Sequence, residues 1–106
     1  MTAQQLTALL AERILGWRVG PDRYVLADRR WLKRERFQPT ERVDAAFRLL
    51  GAVKPIDYKL GGSGSGACWA EVKLDGGSGE ATSASMSLAI CLAIARALGI
   101  DVERLD

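Results

Sequence analysis

The sequence predicts an α+β fold, an α-β-α sandwich in which helices pack on both faces of a small, mostly antiparallel sheet. Three segments with helical spacing of apolar residues lie near the start, middle and end of the chain. Between the last two, the alternating segments 54–60 and 67–74 are joined by the glycine-rich sequence GGSGSG, which favours a hairpin. The 106 residues match the length of one domain, so we expect a single domain over residues 1–106.

The segment 83–99, SASMSLAICLAIARALG, predicts the helix around which the rest of the chain is organised. A helix that is apolar around its whole circumference is normally covered on more than one side. It is also shorter than the roughly 20 apolar residues that span a bilayer. Its single charged side chain is Arg96. The hydroxyls of Thr82, Ser83 and Ser85 are candidate N-caps, and Gly99 is a candidate left-handed C-cap.

Two further helices are predicted from their caps and spacing. Thr2 and Gln5 fit a capping box before a helix that ends at Gly16. Thr40 is the expected N-cap of the second helix, and Gly51 its expected end. Its apolar face is expected to comprise Val43, Ala46, Phe47 and Leu50.

The remaining segments predict strands and loops. Residues 23–27 are rich in strand formers. In the segment 67–74, Trp69, Glu71 and Lys73 face away from Cys68, Ala70, Val72 and Leu74. The sequence DGGSGE over residues 75–80 predicts a second glycine-rich loop.

The most basic run, DRRWLKRER over residues 28–36, predicts a turn followed by an edge strand or loop. It contains Arg29, Arg30, Lys33, Arg34 and Arg36, with Trp31 among them. One interpretation is a solvated edge, since charged edges keep sheets from pairing with other chains. The other is an anion-binding surface for phosphate or nucleic acid. The net charge of only +2 does not by itself imply nucleic-acid binding.

Several function classes are disfavoured by composition. The chain contains no histidine, the commonest general base and metal ligand, and it has no G-x-S-x-G motif of a hydrolase. We therefore expect no enzyme, no metal site and no cofactor. Cys68 and Cys91 are expected to be buried free thiols. The N-terminal sequence MTAQQLTALL lacks the basic and apolar regions of a signal peptide.

Five residues are candidates for ligand binding. Trp69 is either a core residue or a surface on which a base stacks. Arg96 needs a partner, which is solvent, a carboxylate or a ligand phosphate. Thr82, Ser83 and Ser85 either cap the last helix or help its free N–H groups to hold an anion. The loop GGSGSG lacks the lysine of a P-loop, and is either a flexible hairpin loop or a lid that orders on a ligand.

Three segments carry a resemblance to a known family. These are LLAERILGW over residues 9–17, FQPTERVDAAFRLL over 37–50 and SMSLAICLAIARAL over 85–98, with a strand containing Trp69 before the last. In this order they resemble the small phage proteins of the phage ABA sandwich family, across most of the chain. The resemblance implies helices on both faces of an antiparallel sheet. The glycine-rich loops and the basic run depart from the family pattern.

The resemblance also implies a function. Proteins of this type include the Thoeris anti-defence sponges, which bind a cyclic ADP-ribose isomer or a cyclic oligonucleotide without cleaving it. They form homo-oligomers with ligand pockets at subunit interfaces. We therefore expect a phage anti-defence protein that acts in the host cytoplasm, away from membranes. Two alternatives stay open: a phage structural or adaptor protein, and a nucleic-acid-binding module that uses the basic run.

Overall fold

The structure, a computed structural model, describes residues 1–102. Its helices are α1 (Ala3–Leu10), α2 (Val43–Val53) and α3 (Met86–Ala97). Its strands are β1 (Arg18–Val19), β2 (Arg23–Val25), β3 (Trp31–Lys33), β4 (Asp57–Gly62), β5 (Cys68–Leu74) and β6 (Gly77–Ser83). A π-helical turn (Ala11–Leu15) follows α1, and a 3-10 turn (Arg34–Arg36) follows β3.

The six strands form two antiparallel sheets of three strands each, which confirms the α+β class. In the first sheet the order is β1-β2-β3, and in the second it is β4-β5-β6. The second sheet is the longer one, with Leu60 opposite Ala70 and Ala70 opposite Ala81. Side chains that are opposite in an antiparallel pair lie on the same face. These three residues therefore lie on the face that α3 covers.

Helix α3 is the centre of the fold, as its apolar circumference predicts. It packs on β5 and β6 with one side and contacts α1 and α2 with others. Ala89, Ile90, Ala93 and Ile94 are completely buried. Many of its buried side chains are alanines, so neighbouring backbones approach it closely.

Strand β6 lies where the sequence DGGSGE predicts a loop, so this prediction is wrong for residues 77–80. A Cβ atom at Gly79 would lie 2.3 Å from the carbonyl oxygen of Ala93 and 2.5 Å from the backbone nitrogen of Ala97. Gly77 is similarly close to the carbonyl oxygen of Ala97. These glycines let a strand lie directly against the backbone of α3, where any side chain would collide.

Large aromatic side chains build the core on the N-terminal side. Trp17, Tyr24 and Phe37 are buried, with ring centroids 5.0 to 6.1 Å apart. The guanidinium of Arg48, on α2, lies 5.1 Å from the centroid of the Trp17 ring. The aromatic cluster therefore joins the first sheet to the segments on either side of it and to α2.

The helix ends agree with the sequence in part. Thr2 and Gln5 form the predicted capping box, and Gly16 ends the first helical segment with a φ of +70°. Helix α2, however, begins at Val43 and runs through Gly51 to Val53. Its start is later than predicted because a turn precedes it, in which the N–H groups of Glu41 and Arg42 both donate to the carbonyl of Gln38.

Thr40 is therefore not an N-cap. It is buried inside the turn, and its carbonyl accepts a hydrogen bond from the Ser87 hydroxyl at 3.1 Å. Thr40 thus links the turn to α3 and does not cap α2.

Candidate ligand-binding face

The side of the second sheet that faces away from α3, here called the outer face, carries polar and charged side chains. Its residues are Asp57, Lys59 and Gly61 on β4; Trp69, Glu71 and Lys73 on β5; and Ser78, Glu80 and Thr82 on β6. All except Gly61 are exposed. The alternation along β5 predicts this face, because every second residue points to the same side.

Trp69 lies on this face and is not a core residue. Its ring covers Gly61 on the neighbouring strand, where a Cβ atom would lie 2.4 Å from ring atoms of Trp69. The residue remains 41% exposed. One side of the indole is thus supported by backbone, while part of the ring stays open to solvent.

A cavity of about 460 Å³ lies between Trp69 and the edge of β6. Its polar lining comprises Glu71, Glu80, Thr82 and Arg96. A second cavity of about 310 Å³ shares Glu71, Glu80 and Arg96 with the first. Three of the five predicted site residues, Trp69, Thr82 and Arg96, therefore meet at one place.

Arg96 reaches this place from α3, past the edge strand β6. One terminal nitrogen donates to the carbonyl of Glu80 at 2.7 Å. The other terminal nitrogen and Nε donate to the carbonyl of Val102 at 3.2 and 3.4 Å. Within the described part of the chain, no carboxylate forms an ion pair with Arg96. Backbone oxygens thus fix the position of its guanidinium.

Ser83 and Ser85 lie elsewhere and bind the backbone at the start of α3. The Ser85 hydroxyl accepts the N–H of Leu88 at 3.3 Å, and the Ser83 hydroxyl accepts the N–H of Ser85 at 3.2 Å. Ser85 is the N-cap, whereas Thr82 and Ser83 belong to β6. Capping thus describes the position of Ser85, and the Ser83 hydroxyl binds the N–H of this cap residue.

Two carboxylates of the cavity are absent from the predicted site. Glu71 and Glu80 lie directly opposite each other on β5 and β6, and Lys59 lies opposite Glu71 on its other side. The alternation of β5 places Glu71 beside Trp69, but Glu80 falls in the segment that predicts a loop. Glu80 could be predicted as a site residue only if the nearby glycines were known to pack against a helix, which would indicate a strand in place of the loop.

The basic run lies on the other sheet. Trp31, in the edge strand β3, is 55% exposed, and the Arg23 guanidinium lies 4.5 Å from its ring centroid. Arg30 forms an ion pair with Asp28, whose pKa is lowered chiefly by the backbone N–H of Arg30. Arg34 lies 5.5 Å from the Tyr24 ring centroid. Several of these arginines thus already have protein partners.

The cysteines are free thiols in different surroundings. Burial raises the pKa of Cys91, in α3, to about 12. Cys68, at the start of β5, is only half-buried. Over residues 1–102, no group of three or more acidic, cysteine or histidine side chains has an arrangement suited to a metal ion.

Comparison with known proteins identifies the family. Residues 8–94 match the model of the phage ABA sandwich domain. The chain belongs to this family. As a member, it is a small phage protein, which agrees with the resemblance carried by the three sequence segments.

A solved structure with the same fold is the crystal structure of a phage protein from Bacillus cereus ATCC 14579. The two chains share 17% identity with a TM-score of 0.80, over 97% of this chain and 93% of that chain. A search of curated proteins found no match. None of the helices within residues 1–102 has the length and hydrophobicity needed to cross a membrane.

Proposed function

We propose that this phage protein is an anti-defence sponge that binds a cyclic nucleotide immune signal in the host cytoplasm and does not cleave it. The ligand class is a cyclic ADP-ribose isomer or a cyclic oligonucleotide. The observation that carries the proposal is the exposed Trp69 ring, laid over Gly61 in the same cavity as Thr82 and Arg96. The ligand class is the one that the resemblance of the three sequence segments implies.

Trp69 is suited to stack on a nucleobase. Base stacking on an aromatic side chain contributes about 1–3 kcal/mol per base. The ring is held against the backbone at Gly61, so little side-chain freedom is lost when a base covers its open side. A cavity of about 460 Å³ falls within the usual range for small-molecule sites.

Arg96 is suited to hold a phosphate. A guanidinium has five N–H donors, and the hydrogen bonds to Glu80 and Val102 use three N–H groups of Arg96. The remaining donors can reach a phosphate oxygen without breaking the existing hydrogen bonds. A charge-assisted hydrogen bond of this kind is stronger than one between neutral groups.

The carboxylates of the cavity set the selectivity. Glu71 and Glu80 accept hydrogen bonds from ribose hydroxyls or from the N–H groups of a base, and they repel phosphates that lie close to them. This arrangement favours a ligand whose phosphate lies at the Arg96 end and whose base covers Trp69. Sequestration requires only binding, and none of these groups needs to act as a general base.

The proposal is tested by a thermal-shift screen against cyclic ADP-ribose isomers, cyclic dinucleotides and cyclic trinucleotides. A ligand at one hundred times its Kd stabilises the folded state by about 2.7 kcal/mol. We expect a shift with one of these ligands, with the ligand recovered intact by chromatography. Because stacking contributes about 1–3 kcal/mol per base, Trp69→Ala should reduce the shift markedly, while Trp31→Ala, a matched change of an exposed tryptophan on the other sheet, should preserve it.

Three results would contradict the proposal. A cleaved ligand would indicate an enzyme. A shift that is undiminished in Trp69→Ala would place the ligand elsewhere. No shift in a protein that melts cooperatively would favour the structural or adaptor role.

A further inference from the structure

Strand β4 is an edge of the second sheet and carries large exposed apolar side chains. It pairs with β5 on one side only. Tyr58 is 50% exposed, and Ile56, just before the strand, is 63% exposed. Unpaired edge strands offer a row of free N–H and C=O groups to another strand. This edge therefore combines a backbone able to pair with side chains that gain from being covered.

The hydrogen bonds show which backbone groups face outward. The N–H of Ser63 donates to the carbonyl of Ala67 at 2.8 Å, across the hairpin. Because hydrogen-bonded and free positions alternate along an edge strand, Tyr58 and Leu60 direct their N–H and C=O groups away from β5. The N–H of Tyr58 accordingly donates to the Asp57 side chain at 2.9 Å.

The charges beside Tyr58 are self-complementary. Asp57 and Lys59 are both exposed on the outer face, and within residues 1–102 neither forms an ion pair. If a second copy of β4 pairs antiparallel with Tyr58 opposite Tyr58, each Asp57 lies opposite Lys59 of the other copy. Centring the pair one residue earlier would place Asp57 opposite Asp57, and one residue later would place Lys59 opposite Lys59. Only the Tyr58-centred register brings opposite charges together.

We propose that β4 is a dimerisation edge, on which two copies of this chain join their second sheets into one six-stranded sheet with Tyr58 on the two-fold axis. The N–H of each Tyr58 then donates to the Tyr58 carbonyl of the other copy. This frees Asp57 to pair with Lys59 across the interface. On the opposite face, Tyr58 packs against Tyr58. The dimer does not depend on nucleotide binding.

The test is light scattering after size-exclusion chromatography over a range of protein concentrations. A pairing of single edge strands buries little surface, so we expect a reversible, concentration-dependent dimer. D57K and K59D alone each turn both interface pairs from attractive to repulsive, and we expect each to weaken the dimer about tenfold or more. The double variant D57K/K59D should restore it.

An equimolar mixture of D57K and K59D gives the most specific test of the proposed interface. One variant then carries two positive charges at the edge and the other two negative charges, so the two should form a heterodimer that is tighter than the homodimer of either variant. Arg18→Asp, a charge reversal at an exposed position of β1 in the first sheet, is the matched control and should leave the dimer intact. Circular dichroism verifies that each variant is folded.

Two results would overturn the proposal. A wild-type protein that stays monomeric up to about 1 mM would mean that the charges protect the edge from pairing. A dimer that withstands both single reversals would lie on another surface.

Discussion

Two regions of the core are packed in opposite ways. Between α3 and the second sheet, Gly77 and Gly79 let the backbone of β6 approach the backbone of α3. In the N-terminal part of the chain, the large rings of Trp17 and Phe37 are buried against each other. The first arrangement does not tolerate an added atom, and the second does not tolerate a removed one. Each region therefore has a characteristic mutation that breaks it.

The largest effect is expected on the aromatic side. Phe37→Ala removes a buried ring that contacts both Trp17 and Tyr24, and such a truncation costs about 3–5 kcal/mol. Urea unfolding followed by circular dichroism measures the loss. Phe47→Ala, on the exposed flank of α2, is the matched control and should cost much less. Equal losses for both variants would mean that the aromatic cluster does not support the core.

On the glycine side, one added methyl group is expected to destabilise the fold. Gly79→Ala forces a shift of α3 or β6, because the nearest atoms belong to the backbone of α3. Overpacking of this kind costs about 1–3 kcal/mol. The same substitution at Gly64, which has open space around its Cβ position, should be nearly neutral in the same unfolding experiment. A stable Gly79→Ala variant would show that β6 is not in close contact with α3.

The smallest effect concerns Cys91, which is buried in α3. Its pKa rises from the ordinary value of 9.0 to about 12 in the folded protein. The folded state therefore keeps a proton that the unfolded chain loses above pH 9, so stability falls as the pH rises between these two values. The expected loss from Cys91 is about 1.4 kcal/mol by pH 10. Cys91→Ala should show a correspondingly flatter decline between pH 8 and pH 10 in urea unfolding, and an unchanged slope would contradict the burial of the thiol.

The contrast also explains which parts of the fold are predictable from the sequence. The helical spacing around α3 and the alternation in β5 are local patterns, and both lead to the right element. Strand β6 is missed because glycines are uncommon in strands, and their presence reflects the distance to α3, which is not local. Helix α2 also continues through Gly51, where the sequence predicts an end, although no atom lies close to the Cβ position of Gly51.

The candidate site follows the same rule. The exposure of Trp69 follows from its alternation with Ala70, once it is known that no helix of the described chain covers it. The meeting of Arg96 with Thr82 depends on how α3 lies against β6. Glu80 becomes a neighbour of Glu71 only through the pairing of β5 with β6.

The most direct test of the proposed binding face is tryptophan fluorescence during titration with cyclic ADP-ribose isomers, cyclic dinucleotides and cyclic trinucleotides. A base stacked on Trp69 should quench its emission. The proposal predicts that the quenching persists in Trp31→Phe and disappears in Trp69→Phe. Saturable quenching that survives in Trp69→Phe and disappears in Trp31→Phe would move the ligand to the basic first sheet and contradict the outer face as the binding site.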